Sequence, residues 1–162
     1  HLSGGHYTLA ADVDVPAHGS HGVIFADGGL NGGVVLFVQN HHLVYQANSN
    51  GYTVGKALSD SVLNPGKHHI VVTVEPATTN TPGTTPHTKN LGWLGNHKPA
   101  PGDVTISLDG RTSKKAHFDN VAVQASETLD IGQDLGSAVS ADYTAPATFS
   151  GTVEKLVVTD TP

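Results

Sequence analysis

The fold class predicted for this chain is all-β, a two-sheet antiparallel β-sandwich of jelly-roll type. Three observations predict it. Hardly any segment keeps a helical period over three turns. Val, Ile, Thr, Tyr and Phe recur instead in short runs bounded by Gly, Pro, Asn and Asp. These runs follow one another closely along 162 residues, and many short strands at such spacing favour two packed sheets over one open sheet.

Ten strands are expected. Tyr7 to Val13 alternates apolar and polar residues, and Gly22 to Ala26 and Gly33 to Val38 are denser apolar runs. Asn40-His41 is a turn candidate leading into Leu43 to Gln46, which Tyr52 to Lys56 and His68 to Glu75 follow. Val104 to Leu108 ends at Asp109-Gly110, the best hairpin signal, because that dipeptide tolerates the positive φ angles of a type I′ turn. Lys114 to Phe118, Thr128 to Ile131 and Thr152 to Thr159 complete the set. Alternation places Leu9, Val23, Phe25, Val35, Phe37, Val44, Ile70, Val72, Val74, Ile106, Leu108, Val153 and Leu156 inward. Residues 76–102, rich in Pro, Thr and Gly, interrupt the pattern as one long loop. No second domain boundary is visible, so residues 1–162 read as a single sandwich domain.

Composition narrows the function classes. Without cysteine, a disulfide framework, a thiolate metal site and a cysteine nucleophile are all excluded, while the cellular compartment stays open between cytoplasm and secretion. A net charge of −6 with a single arginine argues against a nucleic-acid partner, which needs a basic footprint. No apolar run reaches the length of a membrane span. The absence of methionine points to a processed product or a piece of something longer.

The most distinctive segment is Asp130 to Val158, DIGQDLGSAVSADYTAPATFSGTVEKLVV. Gly132 and Gly136 permit tight turns that gather Asp130, Asp134 and Asp142 on one loop. The segment resembles the C-terminal domain of large bacterial arylsulfatases, whose pattern runs D-[IV]-G-x-D-x-G-x-P-V-x-x-D-Y, a spacer, then F-x-G-T-[IV]-x-K-[VL]. Asp130, Ile131, Gly132, Asp134, Gly136, Val139, Asp142, Tyr143, Phe149, Gly151, Thr152, Val153, Lys155 and Leu156 match in order, and Ala138 departs from the usual proline. Upstream, Gly22-Val23-Ile24-Phe25-Ala26-Asp27-Gly28-Gly29 with Gly32-Gly33 is similar to the family's G-V-[IL]-x-A-x-G-G-x-x-G-G. Val44-Tyr45 with Asn48, the turn Pro65-Gly66-Lys67-His68, and Thr105 to Gly110 also resemble family segments. The likeness spans most of residues 6 to 159.

What the resemblance implies is a concanavalin A-like or laminin G-like sandwich that acts as a non-catalytic accessory domain, packed on the catalytic domain of a sulfuric ester hydrolase. The family's Cys- or Ser-x-Pro-Ser-Arg nucleophile motif is missing here, so sulfatase chemistry is expected outside this chain.

Other chemistries have weaker signals. Asp130, Asp134 and Asp142 could offer a calcium ion the carboxylate oxygens a hard cation wants, and equally they could cap turns by accepting backbone N–H bonds. Trp93, with Asn90, Asn96 and His97, could form an aromatic and polar platform for a glycan in a lectin-like, carbohydrate-binding module, or could anchor the long loop. A glycosidase pair is poorly supported, because Glu127 and Asp130 are three apart and would face opposite ways on a strand. No Gly-x-Ser-x-Gly elbow accompanies the histidines. His41-His42 and His68-His69 each send one ring to either face, so only an alignment of His42 with His69 would build a site.

Overall fold

The computed structural model describes residues 1–2, 5–78 and 99–161. They form strands β1 (Tyr7–Val15), β2 (Gly22–Gly29), β3 (Gly32–Gln39), β4 (His42–Ser49), β5 (Tyr52–Val62), β6 (Gly66–Pro76) and β7 (Gly102–Leu108). Shorter strands follow: β8 (Arg111–Thr112), β9 (Ala116–Phe118), β10 (Leu129–Ile131), β11 (Gln133–Asp134) and β12 (Ala147–Thr148), before the closing β13 (Thr152–Asp160). The first sheet runs β13-β1-β6-β7-β8 with β9 on β7, the second runs β10-β2-β3-β4-β5, and β11 pairs with β12. All pairings are antiparallel. The all-β sandwich expected from the sequence is therefore what forms, and no helix among the described residues could cross a membrane.

Hairpins are set by backbone chemistry. Asn40 and His41, with φ of 50° and 63°, turn β3 into β4, and Asp109 at 51° with Gly110 at 84° turns β7 into β8. Asn50 and Gly51, at 53° and 80°, make a third such turn between β4 and β5. Positive φ at both central residues matches the twist of flanking strands, which is why Asn, Asp and Gly occupy these places. The strands on either side of residues 79–98 pair with each other: Pro76 is opposite Gly102, and Ala77 N–H donates to the Pro101 carbonyl at 2.8 Å.

The main core lies between the sheets. Leu9, Ala11 and Val13 of β1, Ile70, Val72 and Val74 of β6, and Val104, Ile106 and Leu108 of β7 meet Phe25, Leu36, Leu43 and Tyr45 from the second sheet. The strict alternation of β1, buried at every second residue, is what one solvated face produces.

The second sheet corrects the expected inward set. Val23, Val35, Phe37 and Val44 point away from the main core and form a separate buried cluster with Ala26 and Val139, with Tyr143 and Ala147 packed against it. Val34, Leu36 and Val38 take the inward positions instead. A register shift between Val23 and Phe25 turns both Ile24 and Phe25 into the core. The physical reason is coverage on both faces: the chain around residues 134–147 lies over the outside of β2, β3 and β4. Val153 and Leu156 pack on the main core only half-buried. The strand expected from Lys114 begins at Ala116, because Ser113 is bonded to Ile106 through both backbone and side chain.

The sandwich has one closed and one open long side. On the closed side Asp119 N–H donates to the Val54 carbonyl at 2.8 Å, and Gly55 lies under the Phe118 ring. On the other side β10 and β13 are the outermost strands. There Val153, Leu156 and Val158 are only half-buried, while Leu129 and Ile131 are 37% and 49% exposed.

Candidate functional site

The acidic, glycine-containing segment folds as a brace over the outer cluster. Asp134, on β11, is 1% exposed, and its carboxylate accepts the Tyr143 hydroxyl and the N–H of Gly136. Burial raises its pKa above the usual carboxylate value, and the bonds to Tyr143 and the backbone pull the other way. The Tyr143 hydroxyl also accepts Val139 N–H at 3.0 Å, and its ring packs on Phe37 with centroids 5.2 Å apart. Burial and the adjacent carboxylate push the Tyr143 phenol well above its ordinary range.

The other two predicted aspartates have different tasks. Asp130 accepts Leu135 N–H at 2.9 Å, and Asp142 pairs with Lys56 at 2.7 Å. The three carboxylates thus divide among separate partners, and no group of three His, Asp or Glu able to hold a metal gathers among the described residues. Glu127 lies before β10 and binds Ser137 through its N–H, at 2.8 Å, and its hydroxyl. Asn48 ties the brace to the sheet by donating to the Leu30 and Val139 carbonyls, both at 2.9 Å. Ser140 donates to Gln46 at 3.0 Å.

Trp93, Asn90, Asn96 and His97, the residues proposed for a glycan platform, lie outside the described residues.

Inside the main core sits a polar cluster that sequence reasoning missed. Asp27, only 2% exposed, accepts Leu2 N–H at 2.6 Å and meets His1 Nδ1 at 2.5 Å. Burial is the main cause of its raised pKa. Nearby, the hydroxyls of Tyr7 and Tyr45 bond to each other, and burial raises both phenols. Tyr7, Asp27, Leu2 and Gly33 line a cavity of about 10 Å³, room for no more than a water-sized guest. The available signal was parity: an acid two places after Phe25 on a strand faces the core.

Among the described residues no group of histidines converges on one site. His69 Nδ1 meets Asp12 at 2.6 Å on the outside of the first sheet, and His68 bridges Asp109 at 2.6 Å and the Asn64 carbonyl at 2.7 Å. Burial works upward on the Asp109 carboxyl, but His68 and the His69 N–H outweigh it, and the net shift is downward. His42 is on the second sheet, bonded to the Ser59 carbonyl at 3.0 Å, so the two sheets hold His42 and His69 apart.

On the open face of the first sheet, four hydroxyl residues stand in register across four strands. Thr159 of β13 is opposite Thr8 of β1, Thr8 opposite Thr73 of β6, and Thr73 opposite Thr105 of β7.

Comparison with known proteins finds no matching family model and no matching curated sequence. Among solved structures, sheep galectin-11 in complex with glycerol is similar over 98% of this chain and 93% of its own, at 9% identity and a TM-score of 0.48. The native heptameric SAP-like pentraxin from Limulus polyphemus is similar over 95% of this chain at 12% identity and the same TM-score of 0.48. The chain spans 63% of that pentraxin's length.

Proposed function

We propose that this chain is a non-catalytic accessory domain of an arylsulfatase-type sulfuric ester hydrolase, packing on the catalytic domain of that enzyme. The observation that carries the reading is how the resembling residues are used. Asp134 and Tyr143 bond to each other, Asn48 ties the brace to the sheet, and Gly28 stands where a Cβ would lie 2.1 Å from the Gly32 carbonyl oxygen. These are architectural tasks, which is what a shared fold signature without shared catalysis requires. Reading the coding sequence upstream of His1 tests the parentage: a Cys- or Ser-x-Pro-Ser-Arg motif is expected there, and an upstream region lacking it sinks the reading. The isolated chain is expected to show no turnover of an aryl sulfate.

A second reading, a carbohydrate-binding module, is favoured by the row Thr159, Thr8, Thr73 and Thr105. Hydroxyls at the strand spacing of about 4.8 Å offer repeated donors and acceptors to sugar hydroxyls. A glycan array separates this reading from loop binding: loss of signal in Thr73→Val implicates the sheet face, and loss in Trp93→Ala implicates the loop. A blank array at high protein concentration removes both.

A further inference from the structure

The ladder phase of the first sheet decides which backbone groups of β13 are unused. Thr161 N–H donates to the His6 carbonyl at 2.9 Å, extending the β1 and β13 register by one pair. Hydrogen-bonded and non-bonded pairs alternate in an antiparallel ladder. Thr159, Val157 and Lys155, opposite Thr8, Ala10 and Asp12, therefore turn their N–H and C=O groups toward β1. Leu156, Val158 and Asp160 turn theirs outward, where no strand follows among the described residues. The phase is consistent across the sheet, since Asp109 N–H to His69 and Ala77 N–H to Pro101 obey the same alternation.

We propose that a second copy of this chain pairs with this edge, β13 against β13, antiparallel about a two-fold axis at Val157. Such a contact is isologous, so the strand must be complementary to itself. About Val157 it is. Leu156 falls opposite Val158 of the second copy, Val157 opposite its own mate, and Lys155 opposite Thr159. Leu156 and Val158 carry the outward groups, so each such pair exchanges two N–H···O bonds, four in all. On the inner face the same pair of side chains, half-buried in one copy, meets its equivalents.

Two further observations fit that occupant. Regular pairing ends where it must, at Glu154, the extra residue of the β13 bulge, which is held aside by Lys67. The exposed Leu129 and Ile131 of β10 form an apolar lip on the same open side, and the second copy brings an identical lip. An unpaired strand of this length is otherwise an aggregation template. β13 has no proline, and its charges, Glu154, Lys155 and Asp160, flank the apolar run from Leu156 to Val158 without interrupting it. This inference does not depend on which enzyme, if any, the chain belongs to.

The test is sedimentation equilibrium of the intact chain from micromolar to millimolar concentration, repeated with Val157→Lys. Val157 is 41% exposed on the outer face, so the substitution is expected to preserve the melting temperature. A concentration-dependent dimer is expected, weakened at least tenfold by placing two lysines on the axis. Hydrogen exchange supplies a second readout: dimerisation slows the Leu156 and Val158 amides and leaves Lys155, Val157 and Thr159 unchanged. A monomer throughout the range, or a dimer undiminished in Val157→Lys, overturns the proposal.

Discussion

The phenol of Tyr143 donates its hydroxyl hydrogen to the carboxylate of Asp134 while taking the N–H of Val139, which joins three points of the brace through one oxygen. Tyr143→Phe keeps the ring on Phe37 but removes that oxygen. Asp134 then stays buried with one donor fewer, and a loss of about 1–3 kcal/mol is expected. Urea unfolding measures it, with the Val139 amide losing exchange protection before the β1 amides do.

Asp27 makes stability depend on pH in the less usual direction. Its folded pKa is raised above the ordinary 3.8. The fold thus binds a proton more readily than the unfolded chain, so this contribution is complete below pH 3.8 and declines as pH rises through the folded value. Asp27→Asn removes the titration. The melting temperature of the parent chain, measured relative to the Asp27→Asn variant, should fall from about pH 3.5 upward and level off once Asp27 is ionised. A difference independent of pH refutes the assignment.

Two glycines separate crowding from backbone strain. Gly28 and Gly66 have φ of 109° and 112°, but a Cβ on Gly28 meets the Gly32 carbonyl oxygen at 2.1 Å, whereas one on Gly66 meets nothing within 4 Å. Gly66→Ala is expected to cost about 1 kcal/mol, from strain alone. Gly28→Ala should cost at least twice as much, and equal losses in chemical denaturation would show that the crowding is relieved.

Calcium is expected to leave the melting temperature unchanged. An ion that binds only the folded state adds about 2.7 kcal/mol at a hundredfold excess over its Kd. The oxygens of Asp134 already serve Tyr143 and the Gly136 N–H, and Asp142 serves Lys56. A rise in millimolar calcium that chelator reverses would show that these bonds yield to an ion.

The Phe37 ring belongs to the outer cluster, and truncating it should uncouple the brace from the sheet. Phe37→Ala is expected to cost about 3–5 kcal/mol, with enhanced proteolysis after residue 130 as its local mark.

Strands that alternate were legible from sequence, because solvent on one face writes its own period: Leu9, Ile70, Val72, Val74, Ile106 and Leu108 read correctly. Val34 to Val38 did not, since a run apolar at every position has no parity to read. Its second face is buried by Val139 and Tyr143, about a hundred residues away, and no local pattern encodes that partner. Asp109-Gly110 announced its turn, and Asn50-Gly51 carried the same signal unused. Of the candidate site, the grouping of Asp130, Asp134 and Asp142 on one segment was visible. Their division among Leu135, Tyr143 and Lys56 was not, because hydrogen-bond partners depend on which strands the segment crosses. Asp27 lay just beyond the expected strand Gly22 to Ala26, although its parity with Phe25 pointed inward.

The bond from Ala77 to Pro101 gives the hairpin of β6 and β7 a consequence for protein engineering. Where two strands are already clasped at the base of an excursion, closing a longer or shorter excursion changes the entropy by only about 0.6 kcal/mol per doubling of its length. The Ala77–Pro101 clasp therefore marks a grafting port: a reporter, epitope or foreign domain with neighbouring termini joined between these two residues is expected to leave the register of β6 and β7 intact.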